Sequence, residues 1–282
     1  MSFFNRRNNV EEREMSFTEH LDELRKHIIR AGLAIIAFSI IAFFLTDVIF
    51  KHVLFYPLDK NFPTYQALCY VGSYFGIPGS CITPVKPMIQ TFDMGEAFIL
   101  HFKVCMFSGF IIAFPVVLWE LWKFVRPGLY DREVKATRGV VAAGSFLFLL
   151  GVAFGYFILA PFSINFLVSY QLPMINEQAS IIKAGSFINY MLMFTFPAGI
   201  IFELPILVFY LAKMGIVTDK GMRTYRRHAI IVILIIAAIV TPPDIISQII
   251  VTIPVYILYE LSIGIAARQT KKRLKEMEMD NE

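Results

Sequence analysis

The sequence carries one carboxylate in the middle of a long apolar run. Glu203 is the only charged residue between Phe187 and Leu211, and Lys183 and Lys213 flank that run. A helix rises about 15 Å over the ten residues from Glu203 to Lys213. This is half of the roughly 30 Å hydrocarbon core of a bilayer. A charged group at that depth costs at least about 2.5–3.5 kcal/mol, so Glu203 is a candidate functional group, either a proton carrier or a polar contact.

Membrane spans must position Glu203, because 57% of the 282 residues are hydrophobic. Apolar runs of helix length cover 28–50, 98–122, 139–160, 187–212 and 246–267, with a shorter run at 229–240. The shorter run leaves two interpretations open, a re-entrant hairpin or short helices that thin the bilayer locally. The sequence has no phosphate-binding glycine loop, His/Cys metal cluster or nucleophile elbow. We therefore expect no cofactor, no catalysis and no nucleic-acid partner.

Lysine and arginine are concentrated in alternate segments between these runs. The basic-rich segments are 1–27, 123–138, 213–228 and 268–282, and the basic-poor segments are 51–97 and 161–186. Cytoplasmic segments of membrane proteins carry the excess of Lys and Arg. The pattern predicts an all-α polytopic membrane protein with six transmembrane helices within residues 28–267. Segments 51–97 and 161–186 become external loops, segments 123–138 and 213–228 cytoplasmic loops, and both termini are cytoplasmic.

The N-terminal tail, residues 1–27, is predicted to end in an amphipathic helix. Ser16 and Glu19 have the spacing of a capping box, in which Ser16 is the N-cap. Phe17, Leu21 and Ile28 then fall on one face. A helix of this kind lies along the membrane interface, and a surface anchor is its simplest interpretation.

Two of the three cysteines, Cys69 and Cys81, share the first external loop. They can pair if that loop faces an oxidising compartment, and the sequence leaves this question open. Cys105 lies within a predicted span and is expected to be inert packing.

Five separated motifs follow one another along the chain. They are His20-Leu21-Asp22-Glu23-Leu24-Arg25, Phe114-Pro115 to Phe124 with Pro127-Gly128-Leu129-Tyr130, Gly151 to Tyr156, Phe202-Glu203-Leu204-Pro205, and Thr241-Pro242-Pro243-Asp244 with Ser247-Gln248. Together they resemble the TatC family, the multispan receptor of the twin-arginine translocase. The resemblance extends from about residue 16 to residue 267. It departs from the family in a longer first external loop and in His27, where the family often has arginine.

The resemblance implies a concave, glove-like arrangement of the six spans, with short fifth and sixth helices. It implies binding of twin-arginine signal peptides on folded cargo, and assembly with the single-span subunits TatA and TatB and with other TatC copies. Export would be driven by the proton motive force. The absence of a transit peptide favours a bacterial cytoplasmic (inner) membrane. The alternative function is a proton-coupled small-solute transporter that uses Glu203.

The resemblance also implies roles for individual residues. The implied signal-peptide-binding residues are the carboxylates Glu23 and Glu133, together with Phe124, Tyr130, Arg25 and Leu21. Polar contacts with partners inside the membrane fall to Glu203 and Gln248, and the external rim is shaped by Pro57 and Asp244.

Overall fold

The computed structural model describes residues 17–76, 81, 87–125, 137–169, 181–242 and 244–279, and most of these residues are helical. The α-helices are α1 (Phe17–Phe44), α2 (Thr46–Val48), α3 (Pro63–Tyr74), α4 (Glu96–Val125), α5 (Thr137–Phe154), α6 (Ala160–Ser169), α7 (Ala184–Phe202), α8 (Leu204–Lys213), α9 (Asp219–Thr224), α10 (Arg226–Val240) and α11 (Ile245–Met279). The other elements are π-helical turns at Ile49–Leu54 and Gly155–Leu159, a 3-10 turn at Tyr56–Leu58, and strands β1 (Met88–Gln90) and β2 (Ile181–Lys183).

Five helical segments of the described chain are long and apolar enough to cross a membrane. They are Leu21–Phe44, Glu96–Phe124, Gly139–Ser169, Ala184–Lys213 and Ile245–Leu274. The fifth apolar run forms α10, whose 15 residues rise only about 22 Å. The expectation of a short sixth helix is wrong, because α11 runs for 35 residues.

Three helices extend beyond the apolar runs that predicted them. The tail helix and the first span form one helix, α1, which begins at Phe17 directly after the predicted cap; Ser16 itself lies outside the described residues. Residues 161–169, expected in the second external loop, form all of α6 except its first residue. The tail from residue 268 continues α11 as far as Met279.

Small residues set how closely the long helices approach one another. α1 packs along α4, α5 along α7, and α8 along α11. A Cβ on Gly109 of α4 would lie 2.5 Å from the backbone nitrogen of Ser39 in α1. One on Gly151 of α5 would lie 2.5 Å from the carbonyl oxygen of Ala198 in α7. Glycines at such crossings let the backbones of membrane helices touch.

The segments that precede α4 and α7 are joined to each other. β1 and β2 form a parallel pair in which Met88 is opposite Ile181. The buried carboxylate of Glu96, the first residue of α4, accepts the backbone N–H of Phe92 at 2.9 Å and that of Gly185 in α7 at 3.1 Å. The two helices therefore start from one shared anchor.

The first external loop is closed by a disulfide, which answers the question that the sequence left open. Cys69 in α3 is bonded to Cys81, whereas Cys105 is free and buried. Pro57, predicted to shape the external rim, is buried, and its carbonyl accepts the hydroxyl of Tyr65 at 3.1 Å. The described part of this loop is therefore folded onto itself.

Candidate functional site

One candidate site lies where the N-terminal end of α1 meets the C-terminal end of α4. Glu23 is half-buried on α1, one helical turn before His27. Phe124 of α4 is also half-buried, and its ring centroid is 6.4 Å from that of His27 in an edge-on arrangement. Leu21 and Arg25 are exposed on the same stretch of α1. Four of the six predicted signal-binding residues therefore lie on the ends of α1 and α4 that meet at His27, and their role stays a prediction.

The other two residues predicted for this site belong to the segment between α4 and α5. Tyr130 and Glu133 lie outside the described residues, so their roles stay predictions. The segment leaves α4 directly after Phe124 and Val125.

A buried charged cluster adjoins these residues. Nδ1 of His27 donates to Oε2 of Glu120 at 2.7 Å, and both side chains are about nine-tenths buried. Nζ of Lys123 donates to Oε1 of the same carboxylate at 2.7 Å, and a guanidinium nitrogen of Arg30 is 3.9 Å from Oε2. Burying a carboxylate requires such partners. Sequence reasoning missed Glu120; the only signal was its i,i+3 spacing to Lys123.

Glu203 forms a second candidate site, at a break in a membrane-spanning segment. α7 ends at Phe202 and α8 begins at Leu204, with Pro205 in the first turn. Proline has no N–H to continue the helix, which explains the break. Oε1 of Glu203 is buried and has no hydrogen-bond partner within the described part of the chain. Oε2 lies against Gly144 of α5, where an added Cβ would be 3.2 Å away.

Other unpaired polar atoms belong to the neighbouring helices. The Nε1 of Trp122 in α4 and the Oγ of Ser145 in α5 are buried and make no hydrogen bond to any described residue. The ring of Trp122 packs on that of Tyr210 in α8, with centroids 4.7 Å apart. Buried polar groups are normally paired, so helices α4, α5, α7 and α8 together offer hydrogen-bonding groups to a partner or to water.

Gln248 and Asp244 have partners in the α10–α11 region. Nε2 of Gln248 donates to the carbonyl of Leu234 at 3.2 Å, linking α11 to α10. The buried Asp244 accepts the backbone N–H of Ser247 and so caps α11. Glu203 and Gln248, predicted to share one role, thus lie against different helices, α5 and α10.

The described residues contain no group of three or more His, Cys, Asp or Glu side chains that could hold a metal ion.

Comparison with known proteins identifies the family. Residues 19–254 match the family model described as Sec-independent protein translocase protein (TatC). The chain belongs to the TatC family. It is 37% identical, over 265 residues, to the TatC protein of Blattabacterium sp. subsp. Periplaneta americana (strain BPLAN), with 93% of this chain and 99% of that protein covered. It is 30% identical to TatCy of Bacillus subtilis (strain 168), with 95% of each chain covered.

Solved structures agree with this assignment. A crystal structure of the twin-arginine translocase receptor TatC in DDM matches with a TM-score of 0.69 and 30% identity, covering 88% of this chain and 99% of that one. A second crystal structure of the TatC receptor matches with a TM-score of 0.65 and 28% identity, covering 89% of this chain and 100% of that one. As a TatC family member with several membrane-spanning helices, this chain is a multi-pass membrane protein and a transport component, not an enzyme.

Proposed function

We propose that this protein is the signal-peptide receptor of a twin-arginine translocase, which binds folded cargo at its cytoplasmic face. The observation that carries the proposal is the placement of Glu23. Glu23 is half-buried one helical turn before His27, whose ring packs edge-on against Phe124, and it lies at the end of α1 where the chain carries its basic N-terminal tail. The loop that bears Glu133 leaves α4 at this same end.

The chemistry of the ligand fits two carboxylates. The planar guanidinium group of arginine forms paired hydrogen bonds with a carboxylate, which the ammonium group of lysine cannot reproduce. Glu23 and Glu133 each take one arginine of the signal, and Phe124 and Tyr130 frame the pair. Leu21 and Arg25 complete the surface on α1. An exposed ion pair contributes only about 0–1 kcal/mol, so the partial burial of Glu23 is what makes the contact useful.

The proposed topology has six spans, with α10 as the fifth, arranged as a concave glove in a bacterial inner membrane. The charge pattern supports it, because the basic-rich segments all fall on one side when both termini are cytoplasmic. The disulfide between Cys69 and Cys81 falls in a loop on the opposite side. Structural disulfides belong to oxidising compartments such as the bacterial periplasm.

Inside the membrane, Glu203 and Gln248 are the proposed contacts for TatA, TatB and other copies of the receptor. The buried and unpaired Oε1 of Glu203 supports this, since a polar side chain of a partner helix would satisfy it. Assembly at this depth would precede transport driven by the proton motive force. We expect Glu203→Gln to keep signal-peptide binding and to lower transport and co-purification of the partner subunits.

Photo-crosslinking of a twin-arginine peptide tests the proposal. The peptide carries its photoreactive group next to the two arginines, and the receptor is in membranes with its partner subunits. A twin-lysine peptide serves as the comparison. A hydrogen bond to a charged group contributes about 1.5–3 kcal/mol, so Glu23→Gln and Glu133→Gln should each weaken binding about tenfold to hundredfold. Asp22→Asn is the matched control, because Asp22 is an exposed carboxylate next to Glu23.

Two results would contradict the proposal. One is unchanged crosslinking in both the Glu23 and the Glu133 variants. The other is equal crosslinking of the twin-arginine and twin-lysine peptides to the unmodified receptor.

A further inference from the structure

Three polar or close contacts hold α1 and its continuation α2 against α4. At one end His27 bonds to Glu120, in the middle Gly109 lies against Ser39, and at the other end Oγ1 of Thr46 is 2.6 Å from Nε2 of His101. His27 and Thr46 are 19 residues apart, and so are His101 and Glu120. The two chains therefore keep one antiparallel register along their whole contact.

This register relates the buried pair to the proposed recognition residues. One helical turn before His27 is Glu23, and one turn after Glu120 is Phe124. Because α1 and α4 are antiparallel, a step back along α1 and a step forward along α4 both lead toward the same end of the helix pair. Glu23 and Phe124 are therefore the next facing positions beyond the bond between His27 and Glu120. The loop that carries Glu133 begins directly afterwards.

We propose that the bond between His27 and Glu120, which we call the clasp, positions the signal-binding residues. It fixes the spacing and rotation of α1 against α4 at the end where the signal binds, so that Glu23 faces Phe124. The inference rests on the proposed function, because it assigns the clasp to that same site. Glu120 is then a positioning residue that does not touch the signal.

The occupancy of the Glu120 carboxylate supports positioning over direct contact. Oε1 accepts a hydrogen bond from the ammonium group of Lys123, and Oε2 accepts one from His27. The guanidinium group of Arg30 lies near Oε2. With about nine-tenths of its side chain buried, Glu120 offers little surface to a further arginine. Removing either His27 or Glu120 leaves the other, which is about nine-tenths buried, without this bond, and that costs more than the bond itself contributes. Separation of the helix ends exposes the unpaired group to water, and it moves Glu23 away from Phe124.

The test measures geometry and binding on the same receptor, with its partner subunits present. Lys26 and Leu121 are exposed neighbours of the clasp, and each is replaced by cysteine to carry a spin label in a Cys105→Ala background. The two labels report the distance between the helix ends. We expect Glu120→Gln and His27→Gln to broaden this distance distribution and to weaken twin-arginine peptide binding about tenfold. The double variant should match either single variant within about twofold, because each change alone removes the pair formed by a carboxylate and an imidazole.

Two further variants separate positioning from general damage. Thr46→Val removes the polar contact at the far end of the same helix pair, and it should leave both peptide binding and the label distance unchanged. His27→Cys with Glu120→Cys, joined by a short bis-methanethiosulfonate reagent, restores the spacing without the charges. In this tethered receptor, peptide binding should return to within about threefold of the unmodified protein.

The inference is overturned if Glu120→Gln binds the peptide normally with an unchanged label distance. It is also overturned if the tether forms but does not restore the binding, because Glu120 would then contact the signal directly. Failure of the proposed function gives a different pattern. In that case the unmodified receptor does not distinguish twin-arginine from twin-lysine peptides, and Glu23→Gln has no effect.

Discussion

The contact between Gly109 and Ser39 predicts a large effect from a single added methyl group. In Gly109→Ala the new Cβ would lie 2.5 Å from the backbone nitrogen of Ser39 and 2.7 Å from its Cα. These atoms belong to the backbone of α1, so no side-chain rotation relieves the overlap. The whole of α1 must move away from α4 at this point. Gly32→Ala is the matched control, since it adds the same methyl group to α1 with nothing within 4 Å.

The size of the effect follows from the displacement. Ordinary van der Waals contact begins at 3.4 Å, so moving from 2.5 and 2.7 Å requires a shift of about 0.7–0.9 Å. Overpacking of this kind costs about 1–3 kcal/mol. In both variants the higher helix propensity of alanine contributes up to about 1 kcal/mol of stability, because both glycines lie inside helices, so this gain cancels in the comparison. The two variants should therefore differ by about 1–3 kcal/mol in their free energy of unfolding, with Gly109→Ala the less stable.

The free thiol of the protein gives a direct assay of this interface. Of the three cysteines, Cys69 and Cys81 form the disulfide, which leaves Cys105 to react. Its side chain is buried in α4, with Sγ 3.9 Å from Oγ1 of Thr46. A maleimide dye that fluoresces on reaction will label it only when α1 and α4 separate. Heating the detergent-solubilised protein with this dye should show labelling of Gly109→Ala at a clearly lower temperature than of Gly32→Ala.

Equal labelling temperatures for the two variants would refute the argument. The helices would then have room for a side chain at residue 109, and the fixed register of α1 against α4 would lose its central contact. A lower temperature for both variants would instead indicate that α1 tolerates no change at all, because Gly32 has open space beside it.

Three further predictions concern the loops and caps. Cys69→Ser should lower the free energy of unfolding by up to about 3 kcal/mol and make thermal stability insensitive to dithiothreitol, whereas reductant destabilises the unmodified protein. Asp244→Ala should cost about 1 kcal/mol in thermal or denaturant unfolding by removing the cap of α11, while Asp244→Asn, which can still cap, costs less. Burial raises the pKa of Tyr65 to about 12, so the folded state favours the neutral phenol. That contribution is present below pH 10 and lost as the pH rises from 10 to 12; Tyr65→Phe should lose less stability over this range, and an equal loss would contradict the reasoning.

Apolar run lengths and breakers were enough to predict the main helices. The break between α10 and α11 falls at the Thr241-Pro242 turn, and that between α7 and α8 falls beside Pro205. Both follow from the missing N–H of proline, which is a local property of the chain. The end of α11 was not predictable from hydropathy, because its last turns lie beyond the apolar segment. They consist mainly of charged and polar residues, and hydropathy does not show whether such a segment is helical.

The clasp could not be predicted, because it depends on how two helices meet. His27 and Glu120 are 93 residues apart in the chain, and their contact requires the register that Gly109 and Ser39 set. Nothing in the spacing of either helix alone specifies that register. The pairing of β1 with β2 was hidden for a related reason, since strands of three residues are too short to show an alternating pattern.

The contacts of the first two long helices also determine the order in which the chain can assemble. Their register contacts and the disulfide all involve residues before 125, whereas the partner strand of β1 and one of the partners of Glu96 come from residues 181–185. Residue 185 is synthesised 60 residues after residue 125, which at about 5–20 residues per second takes about 3–12 s. The first hairpin thus has seconds to find its alignment before β2 and α7 exist. The later helices then pack against a pair of helices, α1 and α4, that is already aligned.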